Sequence, residues 1–157
     1  MAPLDRWALE DLYAEYARLL DDGPLEDWPA LFLEDCLYLA VPRENHDAGL
    51  PLATLRCESR AMLRDRVRAI RETVMYEPRY LRHHITQIRP QQRTDGTIEV
   101  TAHYSVLEVL PDDLPRVLSV GRYLDVLVRT GDGELLFAEK RVVYDSVMVP
   151  NTLVYPL

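Results

Sequence analysis

The chain has 157 residues, of which 48% are hydrophobic and 28% are charged, so disorder is excluded and one globular domain over residues 1–157 is expected. Acidic residues number 26 and basic residues 18, a net charge of −8, which argues against nucleic acid as the main partner because phosphate binding needs a cationic surface. The two cysteines, Cys36 and Cys57, are too few for a disulfide framework or a tetrathiolate metal site.

The sequence also indicates where in the cell the protein is expected. The N-terminal residues lack the basic and apolar regions of a signal peptide. No stretch approaches 18 uncharged apolar residues, so no membrane span is expected. A cytoplasmic protein with reduced thiols is the expectation.

The first part of the chain is predicted to be helical, over residues 4–32. Apolar residues between Leu4 and Leu20 recur at helical spacing. Asp22-Gly23-Pro24 ends this helix, and residues 25–32 predict a short second helix.

Short strands and a loop are predicted next. Residues 36–41 form a β-rich apolar run, and residues 54–57 favour a brief strand. Residues 42–51 contain two prolines and a glycine, which predicts an exposed loop between these strands.

The clearest helix is predicted for residues 59–75, where Ser59 is a suitable cap and apolar residues step by three and four. Its other face carries a row of arginines. Like charges at this spacing repel each other unless nearby carboxylates neutralise them, so two interpretations stay open. The row is either a solvated face balanced by Asp65 and Glu72, or a docking ridge for an acidic partner. The row consists of Arg60, Arg64, Arg68 and Arg71.

Residues 80–145 are predicted to form an antiparallel sheet. Residues 98–106 alternate between apolar and polar side chains, as a strand with one wet face does. The segments 94–96 and 130–133 contain Asp-Gly pairs that are typical of hairpin turns. Helices followed by a meander of strands indicate the α+β class.

The C-terminal tail, residues 146–157, contains no charged residue. A terminus in water is usually polar, so an apolar one is expected to pack on its own domain or on another chain. The sequence leaves these two alternatives open. Candidate interface residues are Arg60, Arg64, Arg68, Arg71, Arg82, Met148, Leu153 and Tyr155.

The histidines and cysteines predict no metal site in this chain. A Rieske cluster takes two Cys and two His ligands, and neither cysteine has a histidine two or three residues away. His83 and His84 are adjacent, so on a strand they point to opposite faces. Dinucleotide and phosphate-binding glycine motifs are also missing from the sequence.

One enzymatic interpretation remains open. A cone-shaped α+β fold can enclose an apolar pocket in which a histidine or aspartate acts as general base. His83, His103 and Asp125 lie on predicted strands, and His83 and His103 could face each other across a hairpin. This interpretation predicts a stand-alone isomerase, dehydratase or cyclase.

Four segments together resemble the small (β) subunits of Rieske non-heme iron aromatic-ring-hydroxylating oxygenases. They occur in the order of that family along nearly the whole chain, and the similarity is greatest to the salicylate 5-hydroxylase-like, terephthalate and benzoate-type branch. The segments are residues 42–52, the Asp-Arg-Val helix at 58–67, the Arg82-His83 pair and the tail at 144–153.

The resemblance implies a cone-shaped fold of the nuclear-transport-factor and steroid-isomerase type. It implies a mainly structural subunit that forms a trimer within a hexamer of three large and three small subunits. The Rieske [2Fe-2S] cluster and the mononuclear Fe(II) would lie in the large subunit, with no cofactor and no catalytic residue in this chain. The implied substrate of the complex is an aromatic carboxylate.

Overall fold

The helices and strands are those of a computed structural model, which describes residues 3–72, 78–146 and 155–157. Helix α1 spans Arg6–Asp21, a 3-10 helix spans Leu25–Leu31, α2 spans Arg43–Asp47 and α3 spans Arg60–Glu72. The predicted helices at 4–32 and from 59 onwards are therefore confirmed over these residues.

Side chains cap the two long helices, and the cap of α3 is the predicted Ser59. Asp5 accepts a hydrogen bond from the amide of Trp7 at 2.9 Å at the start of α1. The Ser59 hydroxyl accepts one from the amide of Met62 at 3.2 Å at the start of α3. Each cap satisfies an amide that has no partner within its helix.

The segment after residue 42 differs from the prediction of a loop. Residues Arg43–Asp47 form the short helix α2, which starts directly after Pro42. Proline holds its own φ near the helical value and needs no amide partner, so it favours a helix start as well as a loop. An Arg43–Asp47 pair at 3.7 Å spans the single turn.

Six strands form one sheet in the order β2-β1-β6-β5-β4-β3. Neighbouring strands are antiparallel, except that β1 runs parallel to β6. The strands are β1 Phe32–Pro42, β2 Leu55–Cys57, β3 Tyr80–Gln92, β4 Ile98–Val109, β5 Arg116–Arg129 and β6 Leu135–Tyr144.

The prediction of an antiparallel sheet confined to residues 80–145 is therefore wrong in two respects. The sheet is mixed, and it includes β1 and β2 from the first third of the chain. Residues 38–41 of β1 are all buried, as in a strand with both faces covered. A continuous apolar run of this kind reveals a strand, but it does not reveal which strand lies beside it.

The core lies between the helices and the inner face of the sheet. Helix α1 contributes six buried residues, and α3 contributes Leu63, Val67 and Ile70. Aromatic side chains fill most of the space, because the largest fully buried ones include Trp28, Tyr13, Tyr16, Tyr38, Tyr123, Phe32 and Phe137. Helices on a curved sheet confirm the α+β class. Within the described ranges, none of the helices has the length and apolar character that crossing a bilayer requires.

Candidate interaction surfaces and the buried polar cluster

The arginine row on α3 is partly neutralised by carboxylates of the same chain. Arg71 donates from Nε to Glu26 of the 3-10 helix at 2.7 Å. Arg60 donates to Glu34 of β1 at 2.6 Å and also to the carbonyl oxygen of Phe32. The carboxylates that neutralise the row therefore come from other elements that pack against α3. The expectation that Asp65 and Glu72 neutralise it is corrected.

The four arginines differ in how available they are to a partner. The Arg60 side chain is only 19% exposed and holds α3 against β1. Arg64 lies 3.7 Å from Glu34 and is half exposed. Among the described residues, Arg68 is exposed and has no hydrogen-bond or ion-pair partner. A partner that binds the arginine face of α3 would therefore contact Arg64 and Arg68 first.

The other described interface candidates are Arg82 and Tyr155. Arg82 donates to both carboxylate oxygens of Asp22 at 2.8 Å. Arg71 and Tyr155 line a cavity of about 670 Å³ together with Leu20, Ile70 and Leu81. Met148 and Leu153 fall outside the described residues, so their predicted role stays a prediction.

The end of the tail packs on its own chain. Leu157 is buried, and its carbonyl oxygen accepts hydrogen bonds from the hydroxyls of Tyr16 at 2.6 Å and Tyr38 at 3.2 Å. Its amide donates to the Tyr38 hydroxyl at 2.9 Å. Residues 156 and 157 therefore pack within their own chain, which is one of the two alternatives left open for the tail.

An exposed apolar patch lies at one end of the outer face of the sheet, and sequence reasoning did not select it. Tyr80 is 75% exposed, Leu114 is 80% exposed and Val117 is 60% exposed. The register pairs Tyr80 with Val109 and Val117 with Leu107. We call Tyr80, Leu107, Val109, Leu114 and Val117 the outer patch.

The sequence does contain a signal for the outer patch. The wet face of β4 carries Glu99, Thr101, His103 and Ser105 and then changes to Leu107 and Val109. Apolar residues on a face that is otherwise polar indicate a surface that another chain covers.

Beside the outer patch, one carboxylate is buried between two arginines. The Glu108 side chain has no exposed area and lies 2.5 Å from Arg79 and 2.7 Å from Arg116. Burial raises the pKa of Glu108, but hydrogen bonds from Arg116 and Arg79 outweigh burial and hold that pKa below its ordinary value. This ion cluster ties β3, β4 and β5 together at their ends.

The centre of the core contains a buried ion pair. Lys140 Nζ lies 2.9 Å from Asp125 Oδ2, and neither side chain has any exposed area. The Tyr13 hydroxyl donates to the same Asp125 oxygen at 2.5 Å. Burial lowers the pKa of Lys140 to about 8 against the opposing attraction of Asp125, and it raises the pKa of Asp125.

Aromatic rings surround the lysine. Its Nζ lies 3.4 Å from the ring centroid of Tyr123, 4.4 Å from that of Tyr16 and 4.7 Å from that of Phe137. The negative faces of the rings stabilise the ammonium after it has lost its water. The only lysine of the chain is therefore a structural residue of the core.

The residues of the enzymatic interpretation are not brought together. His83 is buried and its Nδ1 lies 2.6 Å from Asp21, whereas His103 is exposed on the outer face. The register pairs His83 with Val106 and His103 with Thr86, so the expectation that the two histidines face each other is wrong. The side chains of His83 and Asp125 have no exposed area, and each is engaged by a charged partner, Asp21 and Lys140 respectively.

The donor groups of the chain do not fit an iron site or a Rieske cluster. Among the described residues, no three His, Cys, Asp or Glu side chains converge on one point. Burial raises the pKa of the Cys36 thiol to about 11 and also raises that of Cys57, which disfavours the thiolate that a metal needs.

Comparisons with known proteins agree with these features. A sequence profile of the ring hydroxylating beta subunit family matches residues 15–151. The chain belongs to this family of β subunits. It is 38% identical over 146 residues to the anthranilate 1,2-dioxygenase small subunit of Burkholderia cepacia, covering 93% of this chain and 90% of that one.

Two further relatives extend the similarity. Subunit beta 2 of the terminal oxygenase component of terephthalate 1,2-dioxygenase from Comamonas sp is 34% identical over 92% of this chain and 93% of its own length. A crystal structure of a β subunit assigned to an aromatic-ring-hydroxylating dioxygenase of Novosphingobium aromaticivorans superposes with a TM-score of 0.86 at 34% identity, covering 96% of this chain and 94% of that one. The predicted family is thus confirmed, and this β subunit is part of an oxygenase complex.

Proposed function

We propose that this β subunit is the structural subunit of an oxygenase that hydroxylates an aromatic carboxylate. It assembles as a trimer within a hexamer of three large and three small subunits in the cytoplasm. The Rieske [2Fe-2S] cluster and the mononuclear Fe(II) lie in the large subunit. The substrate class follows from the anthranilate and terephthalate dioxygenases to which the relatives belong.

The internal pairing of the buried titratable groups is the observation that supports a structural role most directly. A general base needs a substrate within hydrogen-bond reach. The titratable groups on the inner face are instead bonded to one another, His83 to Asp21 and Asp125 to Lys140. The end of the chain occupies the space between Tyr16 and Tyr38.

The exposed surface supports assembly with other chains. Subunit interfaces are enriched in aromatic residues and arginine, and their centres are apolar. The outer patch supplies exposed Tyr80, Leu114 and Val117, and α3 supplies Arg64 and Arg68. A partner surface with carboxylates opposite α3 and apolar residues opposite the outer patch would match both.

Co-expression with the large subunit of the oxygenase tests the assembly. We expect native mass spectrometry to show three copies of each subunit and a loss of the hexamer in Leu114→Glu. Trp7 is 76% exposed on α1, on another surface, so Trp7→Glu is a control with the same added charge. If the large subunit is bound equally well by both variants, the outer patch is not an interface.

Metal analysis tests where the redox chemistry takes place. We expect iron and the absorption of an iron–sulfur cluster in the co-purified complex, and neither in the separately purified β subunit. Stoichiometric iron in the isolated β subunit, or turnover of an aromatic carboxylate by it, would contradict a purely structural role.

The stand-alone isomerase, dehydratase or cyclase is the competing proposal, and a mutation separates the two. His83→Ala removes the partner of Asp21 and is expected to lower the melting temperature of the chain. In the competing proposal the same change abolishes a turnover that the unmodified chain shows by itself.

A further inference from the structure

A cavity lies on the outer face of the sheet, on the side away from the aromatic core. Its volume is about 270 Å³, slightly below the usual range of ligand pockets. Its floor consists of Leu37, Leu39 and Val41 on β1, and Leu50 and Pro51 lie across it. The cavity can therefore accept an apolar body about the size of one ring.

The segment after α2 covers this cavity because the chain turns back sharply. Gly49 has a φ of +67°, a left-handed conformation that side chains disfavour. The amide of Leu50 donates to the carbonyl oxygen of Asn45 at 2.9 Å, and the Asn45 side chain donates to the carbonyl oxygen of Leu52 at 3.3 Å. These bonds hold the segment over β1.

The strand register places one arginine on each side of the floor. Leu39 pairs with Arg56 of β2 on one side and with Arg141 of β6 on the other. Adjacent strands lie about 4.8 Å apart, so the two arginine Cα atoms are about 10 Å apart across β1. Both arginines and His46 line the cavity.

Neighbouring carboxylates use only part of each guanidinium group. Arg56 donates from Nε to Glu58 at 2.7 Å, and Arg141 donates from Nη2 to Glu139 at 2.9 Å. Within the described part of the chain, both Nη groups of Arg56 and Nη1 of Arg141 have no partner. Nearby α2 carries Arg43, Glu44 and Asp47, and Arg43 and Arg122 of β5 lie 3.7 Å and 3.5 Å from Asp47.

We propose that this cavity is a binding site for a small aromatic carboxylate, with the ring on Leu39 and the carboxylate between Arg56 and Arg141. An apolar floor with a few convergent polar groups is the usual composition of a ligand site. A guanidinium group with free N–H donors matches a carboxylate in geometry and charge. Because the ligand contacts only this chain, the inference does not depend on the proposed role in assembly.

Titration of the isotope-labelled full chain with benzoate tests the site. We expect saturable amide shifts at Leu39, Arg56 and Arg141, with an affinity in the millimolar range because the arginines are partly exposed. Benzyl alcohol has the same ring without the charge and is expected to shift these amides far less. Arg56→Gln and Arg141→Gln are each expected to weaken benzoate binding about fivefold.

A matched variant controls for general charge effects. Arg64 is an exposed arginine on α3, so Arg64→Gln removes the same charge at a distant place and is expected to leave benzoate binding unchanged. Equal binding of benzyl alcohol and benzoate would overturn the proposal, since it would show an apolar contact only. Unsaturable shifts, or equal weakening by all three variants, would also overturn it.

Discussion

The inside and the outside of this molecule use charged residues in opposite ways. Asp125 and Lys140 form an ion pair with no exposed area, inside a shell of tyrosine and phenylalanine rings. Arg71 and Glu26 form a pair of similar length on the surface, with about half of each side chain exposed. The distance between the charges is nearly the same in both pairs, 2.9 Å and 2.7 Å.

Solvent therefore decides what each pair does. A buried charge without its partner costs several kcal/mol, because nothing replaces the lost water. A surface charge without its partner is hydrated again, so a surface pair contributes little to stability. The inner pair fixes the core, whereas the surface arginines can exchange their partner for another chain.

Breaking the inner pair is expected to have the largest effect. Lys140→Met leaves the Asp125 carboxylate buried without its counter-ion, although Tyr13 still donates to it, and we expect the free energy of unfolding to fall by about 3–5 kcal/mol. Urea denaturation followed by circular dichroism measures this change. Replacing both partners, as in the Asp125→Leu and Lys140→Met double variant, is expected to restore most of the loss. A fall of less than about 1 kcal/mol in the single variant would contradict a structural role for the pair.

Truncating the buried side chain at the end of the tail is expected to have the next largest effect. Leu157→Ala removes a buried side chain of the core cluster and is expected to cost about 2–3 kcal/mol. Leu52 is 72% exposed, so Leu52→Ala is a control that should change stability by less than about 0.5 kcal/mol. Equal effects of both changes would show that the tail does not stabilise the core.

Local pattern predicted most of the elements but not how they are paired. The Ser59 cap and the hairpins at 94–96 and 130–133 depend on neighbours in the sequence, and each was found as predicted. The parallel pairing of β1 with β6 joins residues about a hundred positions apart. No spacing rule within a single sequence specifies such a contact.

The same distinction holds for the candidate sites. The arginine row was visible in the sequence, but Glu26 and Glu34, which balance it, approach α3 only through the fold. Asp125 and Lys140 lie 15 residues apart on paired strands, and an alternating strand pattern does not show that both face the core. Register, which long-range packing fixes, decided their role.

The cluster at Glu108 is expected to have a smaller effect that depends on pH. Glu108→Gln leaves Arg79 and Arg116 without a carboxylate and is expected to cost about 1–3 kcal/mol at neutral pH. The folded state holds the pKa of Glu108 below the ordinary 4.5, so its contribution is present above that pH and disappears as the pH falls through the lower value. The stability difference between the two proteins should therefore shrink below about pH 4.5. A difference that stays constant into acid would mean that the charge of Glu108 does not matter.

The smallest effect on folding is expected at the surface, where the comparison with the inner pair can be made most sharply. Arg71→Gln breaks the pair with Glu26, yet we expect the free energy of unfolding to change by about 0.5 kcal/mol or less, since both groups return to water. Arg64→Gln, on the same helix, should behave alike in isolation. Their effects on affinity for the large subunit are expected to exceed their effects on folding, and to diminish with added salt. Measuring both quantities on the same variants separates a row of arginines that serves an interface from one that serves only the fold. A loss of stability as large as that of Lys140→Met would show that these surface arginines stabilise the fold as strongly as the buried pair does.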